Sequence, residues 1–189
     1  MKPVETGVGR EGPLDARALQ AAAACGDDLS EICPLALPLA AAPSVAAREA
    51  GMGIALPWLR ERFRALAARH AWMIVEGAGG LLVPLSAEAT MADLALALGL
   101  PVVVVARARL GTINHTRLTL EVASTYGLLL AGVVVSHAEG PLSPADTANL
   151  SALREWLGDR LTGEIPPLPS GASPAEETLA LDALIRRSG

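Results

Sequence analysis

Residues 72–84 run Trp-Met-Ile-Val-Glu-Gly-Ala-Gly-Gly-Leu-Leu-Val-Pro, an apolar stretch that stops at the carboxylate of Glu76 and opens into a glycine-rich turn. A short apolar run bounded by such a turn predicts a buried parallel strand, and ligands of open α/β sheets bind outside the carboxyl ends of their strands. Glu76 would then stand where a ligand meets it. Gly77, Gly79 and Gly80 lack a Cβ and let the backbone approach that ligand closely. A strand exit with a merely solvated acid satisfies the same residues, and this segment alone does not choose between the two.

Lys2 is the other residue whose type is informative. It is the only lysine of the 189 residues, every other basic residue being arginine. It stands in Lys2-Pro3-Val4-Glu5-Thr6-Gly7. An ammonium is a compact point charge suited to phosphate oxygens, whereas a guanidinium is a planar fork. Taken alone, a charged residue near the chain start fits a solvated terminus equally well.

Three segments in order, Lys-Pro-Val-Glu-Thr-Gly from Lys2, Val-Glu-Gly-Ala-Gly-Gly from Val75 and Leu-Gly-Thr-Ile-Asn-His from Leu110, resemble the dethiobiotin synthetases, ATP-dependent carboxylases of biotin synthesis. The likeness continues to Gly163-Glu164-Ile165-Pro166 and so spans nearly the whole chain. It implies a cyclo-ligase that joins 7,8-diaminopelargonate, carbon dioxide and ATP into dethiobiotin, ADP and phosphate, in the cytoplasm. Lys2 matches the family's catalytic lysine and Thr6 its substrate-contacting hydroxyl. Asp15 and Glu76 match two carboxylates that hold Mg2+, and Gly77, Ala78 and Gly79 follow as part of the nucleotide site. Gly111, Thr112, Ile113 and Asn114 match a turn that holds the substrate's tail carboxylate from the neighbouring subunit, which implies a homodimer. Pro166, Pro167 and Leu168 match one wall of the adenine pocket.

Two departures accompany the likeness. Where the family carries an Asn-Asp-type pair for the base, this chain has Ser136-His137, which weakens the usual amide readout of adenine. Nowhere is there Gly-x-x-x-x-Gly-Lys-[Ser/Thr], the loop that cradles ATP phosphates. In the family that loop, with its strand and helix, precedes the Lys-Pro-Val segment. A βαβ unit needs about 30 residues or more, so a comparable upstream length is expected, the more so because chain ends are rarely ordered as a catalytic site requires.

The elements that must carry these residues follow from patterning. Apolar runs at 72–75, 102–106 and 130–135 predict buried strands, and helical patterns at Met91–Leu98 and 113–126 lie between them. That alternation predicts βαβ units and a parallel sheet covered on both faces. Further helices are predicted at 14–24, 56–69, Pro144–Leu157 and 174–187, with irregular connections at 34–43 and 163–171. An aspartate opening an Ala/Leu helix is by itself also an ordinary cap, so Asp15 is open to both readings. His115 is expected as a structural helix residue and His70 at the surface. The fold class expected is α/β, a P-loop NTPase-like three-layer fold with a mainly parallel sheet flanked by helices, its first strand and phosphate loop absent from these residues. The resemblance implies one dethiobiotin synthetase-like domain over 1–189, lacking its N-terminal part.

Composition narrows the alternatives. Hydrophobic residues make up 51% and aromatics 3%, so the core must be built from Ala, Leu, Val and Ile. The net charge of −5 and the lack of a basic run argue against a nucleic-acid footprint. The apolar stretch 94–106 is broken by Gly99 and Pro101 and is too short to span a bilayer. Cys25 and Cys33 lack metal-site spacing and are expected as free thiols. The competing readings are a cobyrinate diamide synthase-like ligase and a non-catalytic binding or regulatory protein on the same scaffold.

Overall fold

The computed structural model describes residues 1–138, 140–169 and 172, and its backbone falls into two compact units, Met1–Gly99 and Leu100–Gly189. In the first unit β1 (Val4–Thr6) pairs in parallel with β2 (Leu35–Leu37), in register Val4 to Leu35 and Thr6 to Leu37. Around them lie α1 (Leu14–Ala23), α2 (Leu29–Ile32), α3 (Pro43–Glu49), α4 (Leu56–Ala67) and α5 (Met91–Leu98). Helix α4 buries Leu59, Phe63 and Leu66, spaced so that they share one face. Helix α5 begins at a reciprocal cap, Thr90 accepting from the Asp93 amide while the Asp93 carboxylate accepts from the Thr90 amide, and it ends at the left-handed Gly99. Val4, Leu35, Leu37, Leu59, Leu85 and Met91 form the core of this unit.

The second unit is a continuous βαβαβ run: β3 (Val102–Arg107), α6 (Thr112–Thr125), β4 (Leu130–Ser136), α7 (Pro144–Leu157) and β5 (Leu161–Ile165), with a 3-10 turn at Gly158–Arg160. Its three strands are parallel in the order β3-β4-β5. Helix α7 opens with a second reciprocal cap, Ser143 with Asp146, and places Leu150, Leu153 and Leu157 against Val133 and Val135 of β4.

The α/β organisation expected from patterning is present, and α5 and α7 match residue for residue. Four expectations need correction. Residues 72–75 do not form a buried strand. Among the described residues their backbone hydrogen bonds lie at the end of the segment, Glu76 N–H to Met1 O at 2.9 Å and the Met1 ammonium to Ile74 O at 2.7 Å, and Trp72 and Ile74 are 66% and 77% exposed. Apolarity marked this segment, but a strand also needs a continuous ladder. Strand β3 is not buried throughout: Val104 and Ala106 face the core, while Val103 and Val105 on the opposite face are exposed. Within 34–43, β2 and the start of α3 replace the irregular connection, and Gly163–Ile165 of the expected loop are paired with β4. The helix expected at 174–187 lies outside the described residues.

Candidate active site

The site in the first unit is built at the start of β1. The Lys2 N–H donates to Ile32 O at 2.7 Å, and Met1 is tied to residues 74 and 76 on its other side. Met1 is therefore 7% exposed and its ammonium is pulled below its ordinary pKa by burial, against the pull of Cys25 and Glu76. The backbone bonds of Met1 and Lys2 thus hold the start of β1 from both sides. Lys2 itself is buried. Its Nζ lies 2.6 Å from Glu76 Oε1, 2.8 Å from Asp15 Oδ2 and 3.1 Å from the carbonyl oxygen of Gly77. The three residues that patterning and resemblance singled out thus converge on one nitrogen. Burial opposes the charge on Lys2, but the hydrogen bonds to Asp15 and Glu76 outweigh it and hold the ammonium above the ordinary lysine value.

Asp15 is the second residue of α1 but does not cap it. The N-cap position is Pro13, which offers no side-chain bond, and the first free amides are taken from elsewhere: Asp15 N–H and Ala16 N–H donate to Glu5 Oε1 and Oε2, each at 3.0 Å. The Asp15 carboxylate is left to face Lys2. Glu5 is the residue that sequence reasoning missed. The signal was an acid next to Val4, ahead of a helix whose own start lacks a capping side chain. Thr6 ends β1 in the same unit.

The glycine turn after Glu76 is sterically required at two places. A Cβ on Gly77 would come within 3.2 Å of Met91 Cγ. Gly79 has φ +77°, and a Cβ there would meet Val83 Cγ2 at 2.8 Å, whereas Gly80 has open space. Ala78 packs against the core of this unit. Gly79→Ala is therefore expected to lower stability by about 1–3 kcal/mol, and Gly80→Ala to change it by less than about 0.5 kcal/mol. Urea denaturation of both variants checks this, and equal losses would contradict the assigned geometry.

The second unit carries the remaining positions. Gly111, at φ +91°, precedes α6 with no side-chain cap, and Thr112 is buried with its hydroxyl unpartnered. Gly111, Ile113 and Asn114 line a cavity of about 760 Å³ together with Arg117, Glu121 and Trp156. His115 is on α6, its Cε1 3.5 Å from where a Cβ on Gly111 would stand. Ser136 ends β4, and the His137 N–H donates to Ile165 O at 3.0 Å, which brings Ser136 and His137 beside the segment entering Pro166, Pro167 and Leu168. The His137 ring Nε2 is 2.6 Å from Glu164 Oε1, and Arg154 grips the same carboxylate through Nε at 2.9 Å and through a second guanidinium nitrogen. An imidazole, a carboxylate and a guanidinium thus stand in line at the strand end.

The Arg154 guanidinium, and after it His137, holds the Glu164 carboxyl below the usual carboxylate range despite partial burial. A depressed carboxylate pKa gives stability that is complete above the ordinary glutamate value of about 4.3 and is lost as pH falls through the folded-state value. Melting temperatures of wild type and Glu164→Gln are expected to differ at neutral pH and to converge below about pH 4. A gap that persists unchanged into stronger acid would contradict the ion pair.

Two further expectations can be placed. Cys25 and Cys33 are both free, and burial pushes the Cys33 thiol up to about 11. His70 is only partly exposed and its Nε2 lies 2.7 Å from Asp27 Oδ2, a carboxylate that Arg69 also engages at 2.8 Å.

A family model described as an AAA domain matches residues 1–175. The ATP-dependent dethiobiotin synthetase BioD of Anaeromyxobacter sp. (strain K) is 48% identical over 170 residues, covering 84% of this chain and 76% of that protein. Its namesake in Aromatoleum aromaticum is 39% identical over 185 residues, covering 96% and 81%, and that of Ralstonia nicotianae is 38% identical over 173 residues, covering 89% and 75%.

Proposed function

Because this chain belongs to the ATP-dependent dethiobiotin synthetase family, we propose that Lys2, Asp15 and Glu76 form the centre at which carbon dioxide and ATP are joined to 7,8-diaminopelargonate. The observation that carries this is the single lysine of the chain, buried, with its ammonium 2.6 and 2.8 Å from two carboxylates at the glycine-rich turn. The relatives' names favour this ligase over a cobyrinate-amidating enzyme or a non-catalytic scaffold.

The chemistry requires positioning and charge neutralisation more than covalent help from the protein. An amine of the substrate captures carbon dioxide as a carbamate. A carbamate oxygen attacks the γ-phosphorus of ATP and ADP leaves. The second amine then attacks the carbamoyl carbon, phosphate departs with the former carbamate oxygen, and the cyclic urea closes. Lys2 supplies a fixed positive charge for the carbamate and for the phosphoryl oxygens, and burial keeps that charge from being screened by water. Thr6 at the end of β1 contacts the substrate.

Asp15 and Glu76 would hold Mg2+, which takes one or two carboxylates and completes its shell with phosphate oxygens and water. The site fits that demand: the two side chains are 52% and 48% exposed, so each has oxygen surface to offer besides its contact with Lys2. When bound, the ion neutralises charge on the phosphates. In the first unit Gly77, Ala78 and Gly79 would let backbone approach phosphate oxygens; in the second, Ser136, His137, Pro166, Pro167 and Leu168 would offer a pocket for an adenine base. Lys2 is the one lysine these 189 residues can bring to the phosphates. The test is mass-spectrometric detection of dethiobiotin from 7,8-diaminopelargonate, bicarbonate, Mg2+ and millimolar ATP. Product that forms without ATP, or ADP without product, would contradict the reading.

We propose further that the enzyme is a homodimer in the cytoplasm, acting on small molecules with no nucleic-acid or membrane partner. Among the described residues no helix is long and apolar enough to cross a membrane. The start of α6 has no side-chain cap, and although the Thr112 N–H is given to Arg109 O, the turn Gly111, Thr112, Ile113 and Asn114 would receive the substrate's tail carboxylate from the neighbouring subunit through its other amides and the Thr112 hydroxyl. Mixing inactive Lys2→Ala chains with inactive Asn114→Ala chains should then restore up to about a quarter of wild-type activity, since some dimers regain one intact composite site. No recovery despite demonstrated subunit exchange would place the whole site in one chain.

A further inference from the structure

We infer that Glu5 is a positioning residue: by occupying the first amides of α1, it frees the Asp15 carboxylate to share the Lys2 ammonium with Glu76. The inference rests on the reading above only for the use made of Asp15, and its geometry stands apart from any turnover. Glu5 is 6% exposed and lies on β1 between the core residue Val4 and Thr6. Both of its carboxylate oxygens are spent on α1, one on Asp15 N–H and one on Ala16 N–H, each at 3.0 Å.

The start of α1 explains why such a carboxylate is needed. Its N-cap is Pro13, which has no side-chain acceptor for the exposed amides. Free amides in a first helical turn attract the nearest anion, and an aspartate in that turn is well placed to fold back onto them. Asp15 is that aspartate. In this protein its Oδ2 instead lies 2.8 Å from Lys2 Nζ, and the amides belong to Glu5. Glu5 also joins β1 to the first turn of α1, so the strand that follows Lys2 and the helix that bears Asp15 are held at a fixed separation. A buried acid is costly unless its oxygens are satisfied, and the helix start satisfies both.

In protein labelled with 15N-lysine, the side-chain ammonium signal that Lys2→Met removes belongs to Lys2, and its hydrogen-exchange rate reports the hydrogen bonds at Nζ in the free protein. Glu5→Ala is expected to speed exchange roughly tenfold, the equivalent of one charge-assisted hydrogen bond. Asp15→Ala should do the same, and the double variant should be no faster than either alone, because both remove one contact. Glu5→Gln keeps one acceptor oxygen and should fall between wild type and Glu5→Ala; it decides the matter if Glu5→Ala does not fold. Wild-type exchange in the Glu5 variants, even with a lowered melting temperature, would reduce Glu5 to a fold-stabilising cap. Additive effects in the double variant would show that Glu5 does not act through Asp15, and would overturn the inference.

Discussion

Lys2→Met is expected to lower the rate of dethiobiotin formation by about 10²–10³-fold while leaving the fold in place, the loss typical of one buried donor aimed at developing negative charge. Methionine matches the length and apolar stem of lysine, so the packing around the buried chain is kept and the charge alone is removed. Asp15 and Glu76 would then face each other without the cation that now stands 2.8 and 2.6 Å away. Both carboxylates are about half exposed, so solvent relieves much of their repulsion, and the stability loss should stay near 1–2 kcal/mol, below the cost of orphaning a fully buried charge. Lys2→Arg should not rescue activity, because a planar fork cannot place one point charge between two carboxylates and the Gly77 carbonyl. Steady-state kinetics beside circular dichroism reads both effects. Activity within about threefold of wild type in Lys2→Met would remove the lysine from the chemistry.

Glu76→Gln is expected to cost about 10²-fold or more in rate and to raise the Mg2+ concentration needed for half-maximal turnover. The amide keeps the shape of the side chain but halves its acceptor capacity and removes its charge. Asp15→Asn should act in the same direction. A variant of either residue that turns over like wild type at limiting Mg2+ would contradict its assignment as a metal carboxylate. A pure loss of stability in Asp15→Asn is not expected, since the amides of α1 are capped by Glu5 and not by Asp15.

The parts of this molecule that were legible in the sequence are those specified locally. Helices α5 and α7 carry their start signals next to their apolar faces, Thr90 with Asp93 and Ser143 with Asp146, and their bounds follow from those residues. Strand β4, Val-rich and buried on both faces, is equally explicit. What depends on distant partners was not legible. Residues 72–75 have the composition of a buried strand, but a ladder needs a neighbour in register, and their backbone bonds go to Met1 alone among those described. Strand β2 is three residues inside a Pro- and Ala-rich stretch and exists because β1 pairs with it. Strand β5, Leu-Thr-Gly-Glu-Ile, has no clear period and is held by β4.

The same division runs through the site. Lys2, Asp15 and Glu76 could be named from residue type, motif order and resemblance, and the structure brings them to one point. Glu5 could not be, because its partners are ten and eleven residues away and its role is visible only where β1 meets the start of α1. Glu164 as the partner of His137, and Arg154 as the partner of Glu164, were hidden for the same reason: Arg154 is on α7 and Glu164 on β5, and only the fold of this unit brings them to His137 after β4.

The central claim is that a carbon dioxide-derived oxygen attacks phosphorus at the Lys2 centre, and isotope transfer measures that step. Brief incubation with C18O2, 7,8-diaminopelargonate, Mg2+ and millimolar ATP should give inorganic phosphate carrying one 18O per dethiobiotin formed, since the carbamate oxygen leaves with the phosphoryl group. Lys2→Met should lower the labelled phosphate formed in that time by the same factor of about 10²–10³. Unlabelled phosphate alongside dethiobiotin, or labelled phosphate undiminished in Lys2→Met, would contradict the account.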